Sequence, residues 1–300
     1  MSLIAFLGAI EIGLVFGLVA LGVFLSFRVL QFPDLTVDGS FPLGAAVAAT
    51  LIVSGWSPWL ATAMAALAGA LAGLVTAWLN VRLKILHLLA SILTMIALYS
   101  INLRIMGRPN IALLGDETVL TPLEALPVRS YWLAPILFLV VIVAAKLLVD
   151  RFLASELGLA IRATGANPRL SRALGISTGR LILAGMALSN ALVALAGALF
   201  AQSQGSADIS MGVGVIVVGL AAVILGEAIV PGRGIALATL GCVLGSILYR
   251  LAVAFALNAD VLGLQAQDLN LLTAILVALA MVLPGERRRF KALFQRSAGR

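Results

Sequence analysis

The side chains able to bind or pass a polar solute are few in this chain, and two of them sit close together. Asp34 and Asp38 flank Thr36 in Phe32-Pro33-Asp34-Leu35-Thr36-Val37-Asp38-Gly39-Ser40-Phe41, where two carboxylates, a proline and a glycine interrupt nearly continuous hydrocarbon. Such carboxylates can contact a solute, or can accept the orphan N–H groups at a helix start and hold a break in place. The second role is the one expected of both. Asp208-Ile209-Ser210 restates the acidic-apolar-hydroxyl order of Asp34-Leu35-Thr36, so Thr36 and Ser210 are further candidates to line a path. Glu11 and Arg250 fall within apolar runs at similar depth. A charge inside a membrane is costly and is a functional hypothesis by default, and these two are expected to pair.

Covalent and metal chemistry lack their parts. His87 and Cys242, the single His and single Cys, lie far apart in the chain and make neither a zinc site nor a Cys/His catalytic pair. There is no Gly-xxxx-Gly-Lys-Ser/Thr segment, and Gly212, Gly214 and Gly219 do not complete a dinucleotide fingerprint. Cys242 is expected to be a small buried packing residue, and His87 a hydrogen-bonded or interfacial side chain. No enzyme, cofactor or metal site is expected on this chain.

The elements that must position these residues follow from composition. The 300 residues are 62% hydrophobic and 11% charged, with mean hydropathy +1.14. Repeated apolar runs of about 20 residues indicate a polytopic, all-α membrane protein. Net charge +7 sits mainly in short loops, which reads as topology and not as a nucleic-acid surface. No basic region precedes the first apolar run, so Leu3 onward is expected to be a retained span and not a signal peptide. About nine crossings are expected: 5–27, 41–54, 58–79, 85–104, 131–149, 181–203, 211–230, 235–256 and 269–283. The run Leu43 to Ser54 makes only about 18 Å of helix against a hydrocarbon core of about 30 Å. The broken stretch 32–41 must therefore cover depth itself, and irregular backbone is tolerated there only in protein or along a water-filled path.

Placing the N-terminus outside and the C-terminus in the cytoplasm puts Arg28, Arg82, Lys84, Lys146, Arg151, Arg162, Arg169, Arg172, Arg180, Arg233 and the six Lys and Arg of the tail inside. Only Arg104, Arg108 and Arg129 then face outward, as the positive-inside rule requires. An internal repeat is also present. Leu18-Val19-Ala20-Leu21 recurs as Leu192-Val193-Ala194-Leu195, and at the same shift Asp34-Leu35-Thr36 falls on Asp208-Ile209-Ser210. Gly69-xxx-Gly73 then matches Gly241-xxx-Gly245, and Leu88-Leu89 with Ile92-Leu93 matches Leu271-Leu272 with Ile275-Leu276. Crossings one to four thus correspond to six to nine, an odd displacement that inverts the second copy. Inverted repeats with broken helices are a transporter signature. The expected organisation is one transmembrane domain: repeat one at 5–104, a linker span and loop at 131–180, repeat two at 181–283 and a basic tail at 284–300. The outer loop 105–130, with Asp116, Glu117 and Glu124, could dock a partner or simply be solvated. Glu227, near the inner end of the seventh crossing, is expected to cap the following turn.

The longest inner loop, residues 155–176, is too polar to cross and too patterned for a linker. Gly165-Ala166-Asn167-Pro168 reads as a turn between two short helical pieces, with Leu170, Ala173 and Leu174 on one face and Arg169 and Arg172 on the other. A short amphipathic helix there can lie on the membrane surface or fit a partner's groove.

At these residues the sequence resembles a known family. Leu159-Ala160-Ile161-Arg162-Ala163-Thr164-Gly165-Ala166-Asn167-Pro168-Arg169, continued by Ala173-Leu174-Gly175-Ile176, looks like the coupling loop of ABC-importer permeases of the branched-chain amino acid and ribose type. Val223-Ile224-Leu225-Gly226-Glu227 with Pro231-Gly232-Arg233-Gly234 resembles that family's second-half signature. The stretch 32–41 is similar to a subgroup whose systems pair one permease with one ATPase and a binding lipoprotein, some of them linked to aromatic amino acids. The resemblance implies a permease in a bacterial inner membrane, paired with a second copy, fed by an extracytoplasmic binding protein. ATP and Mg would be held by a cytoplasmic ATPase that docks on Leu159, Arg162, Gly165, Asn167, Pro168, Leu170, Arg172 and Leu174. A secondary transporter or channel also uses inverted repeats, but has no need of a groove-fitting cytoplasmic helix.

Overall fold

The computed structural model describes residues 3–124, 130–230 and 234–257, with residues 275 and 278. Apolar runs become helices because a chain in hydrocarbon must satisfy its backbone groups internally. Helix α1 (Leu3–Val23) continues as a π-helical segment, Phe24–Val29. Helices α2 (Val37–Val53), α3 (Pro58–Leu83) and α4 (His87–Met106) follow. After strand β1 (Asn110–Ala112) come the short α5 (Thr121–Glu124) and the long α6 (Ser130–Ala154). Then come α7 (Glu156–Ala166), α8 (Pro168–Ala173) and α9 (Thr178–Gln204). Strand β2 (Ser206–Asp208), a 3-10 turn (Ile209–Gly212), α10 (Val215–Ile229) and α11 (Ile235–Leu257) complete the order.

Among the described residues seven helical segments are long and apolar enough to cross a membrane, and α2 is a shorter apolar helix. The chain is a mostly helical, multi-pass membrane protein. The ninth expected crossing, 269–283, lies outside the described residues apart from 275 and 278. One element departs from an all-helical reading. Strands β1 and β2 pair antiparallel, Asn110 opposite Asp208 and Ala112 opposite Ser206.

Helices α1 and α9 pack on each other at the centre. Helix α3 lies along α9, and α11 lies along α1; α2 rests on α9, α3 and α4, and α10 on α11 and α1. The outward faces stay apolar and exposed, as at Leu67, Leu71 and Val75 of α3 and Leu139, Val140 and Leu148 of α6, which suits contact with lipid. Backbone-to-backbone approach fixes α2 against α9. A Cβ on Gly44 would overlap the Ala194 carbonyl, and one on Gly197 the Phe41 carbonyl. Small residues permit such contact between membrane helices. Gly69 and Gly73 bring α3 onto α9 at Asn190 and Met186, whereas Gly241 and Gly245 bring α11 onto α10 at Gly226 and Ala222. The two glycine pairs both serve close approach, with different neighbours.

Candidate functional site

The break before α2 begins inside α1. Leu30 N–H reaches back to Leu25 O at 3.0 Å, the long step of a π-turn, and Phe32 N–H reaches Ser26 O at 2.8 Å. Gln31, at φ 53°, then reverses the chain. Helix α2 starts at Val37 and not near Phe41, so Asp38 stands in its first turn and the irregular backbone is shorter than expected. At about 1.5 Å per residue its 17 residues still fall short of a hydrocarbon core of about 30 Å. Pro42 cannot donate to the Asp38 carbonyl, and the 3-10 turn before α10 fills that notch: a Cβ on Gly212 would strike Asp38 O and the Pro42 ring.

Asp34 is fully buried and fully engaged. Its Oδ1 accepts Thr36 N–H at 2.9 Å, and its Oδ2 accepts Asn190 Nδ2 at 2.8 Å. The Asn190 Oδ1 in turn accepts the Ser40 hydroxyl at 2.7 Å, while the Thr36 hydroxyl meets Thr76 Oγ1 at 2.8 Å. This buried network ties the broken stretch to α2, α3 and α9. Asn190, Ser40 and Thr76 were not singled out from sequence; Asn190 is an amide in the middle of an apolar run, and that was the available signal.

Asp38 works across the molecule. Helix α10 begins at Gly214, whose φ of 79° suits glycine but whose missing side chain cannot cap. Asp38 supplies the cap: Oδ1 accepts Ile216 N–H at 2.8 Å and Oδ2 accepts Gly214 N–H at 3.3 Å. A carboxylate at a helix start also meets the positive end of the helix dipole. Asp208 repeats the local turn of Asp34, accepting Ser210 N–H at 2.7 Å on Oδ1, and its Oδ2 accepts Asn110 Nδ2 at 3.2 Å. Here the surroundings differ. Asp208 is half-buried, and the exposed Ser210 hydroxyl turns back to it at 2.5 Å instead of reaching another helix. The Ser210 hydroxyl and backbone N–H together hold the Asp208 carboxyl below the usual carboxylate range.

A cavity of about 510 Å³ lies beside the two helix starts. Asp38 and Pro42 line it from α2, Met95, Tyr99 and Asn102 from α4, and Ser210 from the turn before α10. Asp34 and Thr36 lie behind this wall. Phe32 stacks edge-on against His87, centroids 4.4 Å apart, which ties the break to the start of α4.

Two expectations are corrected. Glu11 and Arg250 do not pair: Glu11 accepts the Ser203 hydroxyl, and the Arg250 guanidinium lies over the Phe16 ring, 4.1 Å from its centroid. Matched depth left their directions around the two helices open. Glu227 pairs with Arg28, joining the end of α10 to the π-helical segment; the turn it was expected to cap, at 231–233, lies outside the described residues. The turn expected at Gly165-Ala166-Asn167-Pro168 is confined to Asn167, since α7 runs through Ala166 and α8 starts at Pro168. Cys242 is buried as expected. Among the described residues no three His, Cys, Asp or Glu side chains could hold a metal ion together.

The segment 155–176 forms a corner of two short helices. Ser155 caps α7 by accepting Gly158 N–H at 3.3 Å. Asn167 ends α7 and starts α8, its Oδ1 accepting Leu170 N–H at 3.0 Å, with Pro168 in the first helical position. Gly165 lets α7 press on the end of the first helix, because a Cβ there would overlap the Val29 carbonyl. Ile161 and Thr164 face inward, while Leu159, Leu170 and Leu174 stand 52%, 56% and 71% exposed. Arg162, Arg169 and Arg172 are exposed beside them. Arg162 and Arg28 line a second cavity, of about 360 Å³, between α7 and the π-helical segment.

A family model described as a branched-chain amino acid transport system permease component matches residues 6–283. The chain is 38% identical over 264 residues to a tyrosine transport system permease protein of Clostridioides difficile (strain R20291), covering 88% of this chain and 86% of the relative. It is 34% identical over 283 residues to an uncharacterized protein of Rickettsia prowazekii (strain Madrid E), covering 91% and 95%. No solved structure matches the chain.

Proposed function

This chain belongs to the branched-chain amino acid transport system permease family, and from that premise we propose that it is the membrane subunit of an ATP-driven importer. The family is one of membrane transport components and not of enzymes. In this reading a cytoplasmic ATPase holds ATP and Mg, an external binding protein delivers the solute, and a second copy completes the path in the inner membrane. The substrate class is an amino acid, with an aromatic one favoured because a relative carries tyrosine in its name.

The observation that carries the reading is the α7–α8 corner. Its leucines and arginines face solvent, while Gly165 seats α7 directly on the end of the π-helical segment that continues α1. A segment rigidly seated on the bundle and apolar on its free face suits a groove on a partner that pushes. A secondary transporter or channel, the other reading of the repeats, has no use for it. The inverted repeat is supported by the packing, in which α3 against α9 is answered by α11 against α1, and by the matching turns at Asp34 and Asp208. Nine crossings with the N-terminus outside keep most Lys and Arg on the cytoplasmic side.

The test is co-purification with the ATPase encoded by a neighbouring gene, followed by ATP hydrolysis of the complex. Leu174→Asp and Arg162→Glu alter exposed side chains, so the permease should fold normally while complex recovery and hydrolysis fall at least fivefold. Unchanged recovery and hydrolysis in both variants would reject the docking assignment.

A further inference from the structure

We infer that the cavity beside the α2 and α10 starts is a subsite for the ammonium end of an amphiphilic amino acid. This deepens the permease reading and rests on it. Asn102 is 1% exposed, and it donates Nδ2 to Gly39 O at 3.2 Å while its Oδ1 has no hydrogen-bond partner. A buried acceptor without a donor is uncommon in a native structure and asks for an explanation. Asn102 lines the cavity together with Asp38, the one formally charged residue there, and Ser210. Asp38 already accepts two N–H groups and keeps acceptor capacity, since an ionised carboxylate has about four lone-pair sites. The Ser210 hydroxyl gives its proton to Asp208, which leaves its oxygen an acceptor.

Three oxygen acceptors, one of them charged, select a group that only donates. A primary ammonium has three donors and no acceptor. The rest of the lining is largely apolar, with Pro42, Met95, Ile96 and Val213, and takes a hydrocarbon or aromatic body. Tyr99 and Ser100 carry hydroxyl donors at the same cavity and suit a solute carboxylate. The volume, about 510 Å³, lies within the ordinary range for small-molecule sites, about 300–1,000 Å³.

The experiment measures binding of radiolabelled tyrosine to the purified permease in lipid nanodiscs. Tyramine, which keeps the ammonium and lacks the carboxylate, and 3-(4-hydroxyphenyl)propionate, which has the reverse, serve as competitors. Tyramine should compete, the propionate should not, and Asn102→Leu should weaken tyrosine binding at least tenfold. Asn102→Asp, which keeps an acceptor and adds charge, should bind tyramine at least as tightly as wild type, and this arm decides the matter if Asn102→Leu does not fold. The inference is overturned by absent saturable binding, by competition from the propionate equal to that of tyramine, by Asn102→Leu binding within twofold of wild type, or by weakened tyramine binding in Asn102→Asp. Failure here alongside intact ATP-driven uptake removes the subsite alone, whereas loss of ATP-driven uptake in the wild type removes the permease reading.

Discussion

Asp34 and Asp38 differ in what surrounds them more than in what they are. Asp34 sits in a buried network in which both oxygens are committed inside the fold. Asp38 holds the start of a distant helix while facing a cavity. A buried carboxylate that loses one neutral donor leaves its charge less compensated, at a cost of about 3 kcal/mol. Asn190→Leu removes the Nδ2 donor to Asp34 and the acceptor for Ser40. It should lower the thermal unfolding midpoint of the purified protein clearly, whereas Asn110→Ala, which removes an exposed bond to Asp208, should leave it within a degree or two. The dual possibility of capping or contact was legible in the sequence from the residue types alone. Their actual partners were not, because Asn190 and Ile216 are long-range neighbours that no local spacing encodes.

At the scale of elements, apolar length and the interruption at Pro33 and Asp34 were readable because hydrocarbon leaves the backbone few alternatives. The start of α2 was misplaced by a turn, since Pro42 is tolerated near a helix start and gives no clear boundary. Strands β1 and β2 are three residues each, too short for alternation to show. The Glu11 and Arg250 expectation failed because depth along a helix does not give direction around it. The seat of α2 on α9 depends on glycine, and the two classes of glycine can be told apart by experiment. Gly44→Ala forces a Cβ into the Ala194 carbonyl and should cost about 3 kcal/mol. Gly8→Ala has open space within 4 Å and should be neutral or gain up to about 1 kcal/mol from helix propensity. Folded yield and unfolding midpoint in detergent report both; equal effects would mean that the close approach does not hold α2 in place.

At the scale of the molecule, the parts form one connected path. The α7–α8 corner is seated through Gly165 on Val29. The neighbouring Arg28 pairs with Glu227 at the end of α10. The start of α10 is held by Asp38 at the mouth of α2, beside the cavity. A push on the corner thus has a mechanical route to the cavity, as the proposed coupling to an ATPase requires. Reconstitution tests this account most directly: the permease, its ATPase and its binding protein in liposomes, with labelled tyrosine outside and ATP within. Uptake should need ATP and all three proteins, should be unaffected by collapsing proton and sodium gradients, and should fall at least fivefold with Leu174→Asp. Uptake by the permease alone, driven by an ion gradient and indifferent to ATP, would contradict it.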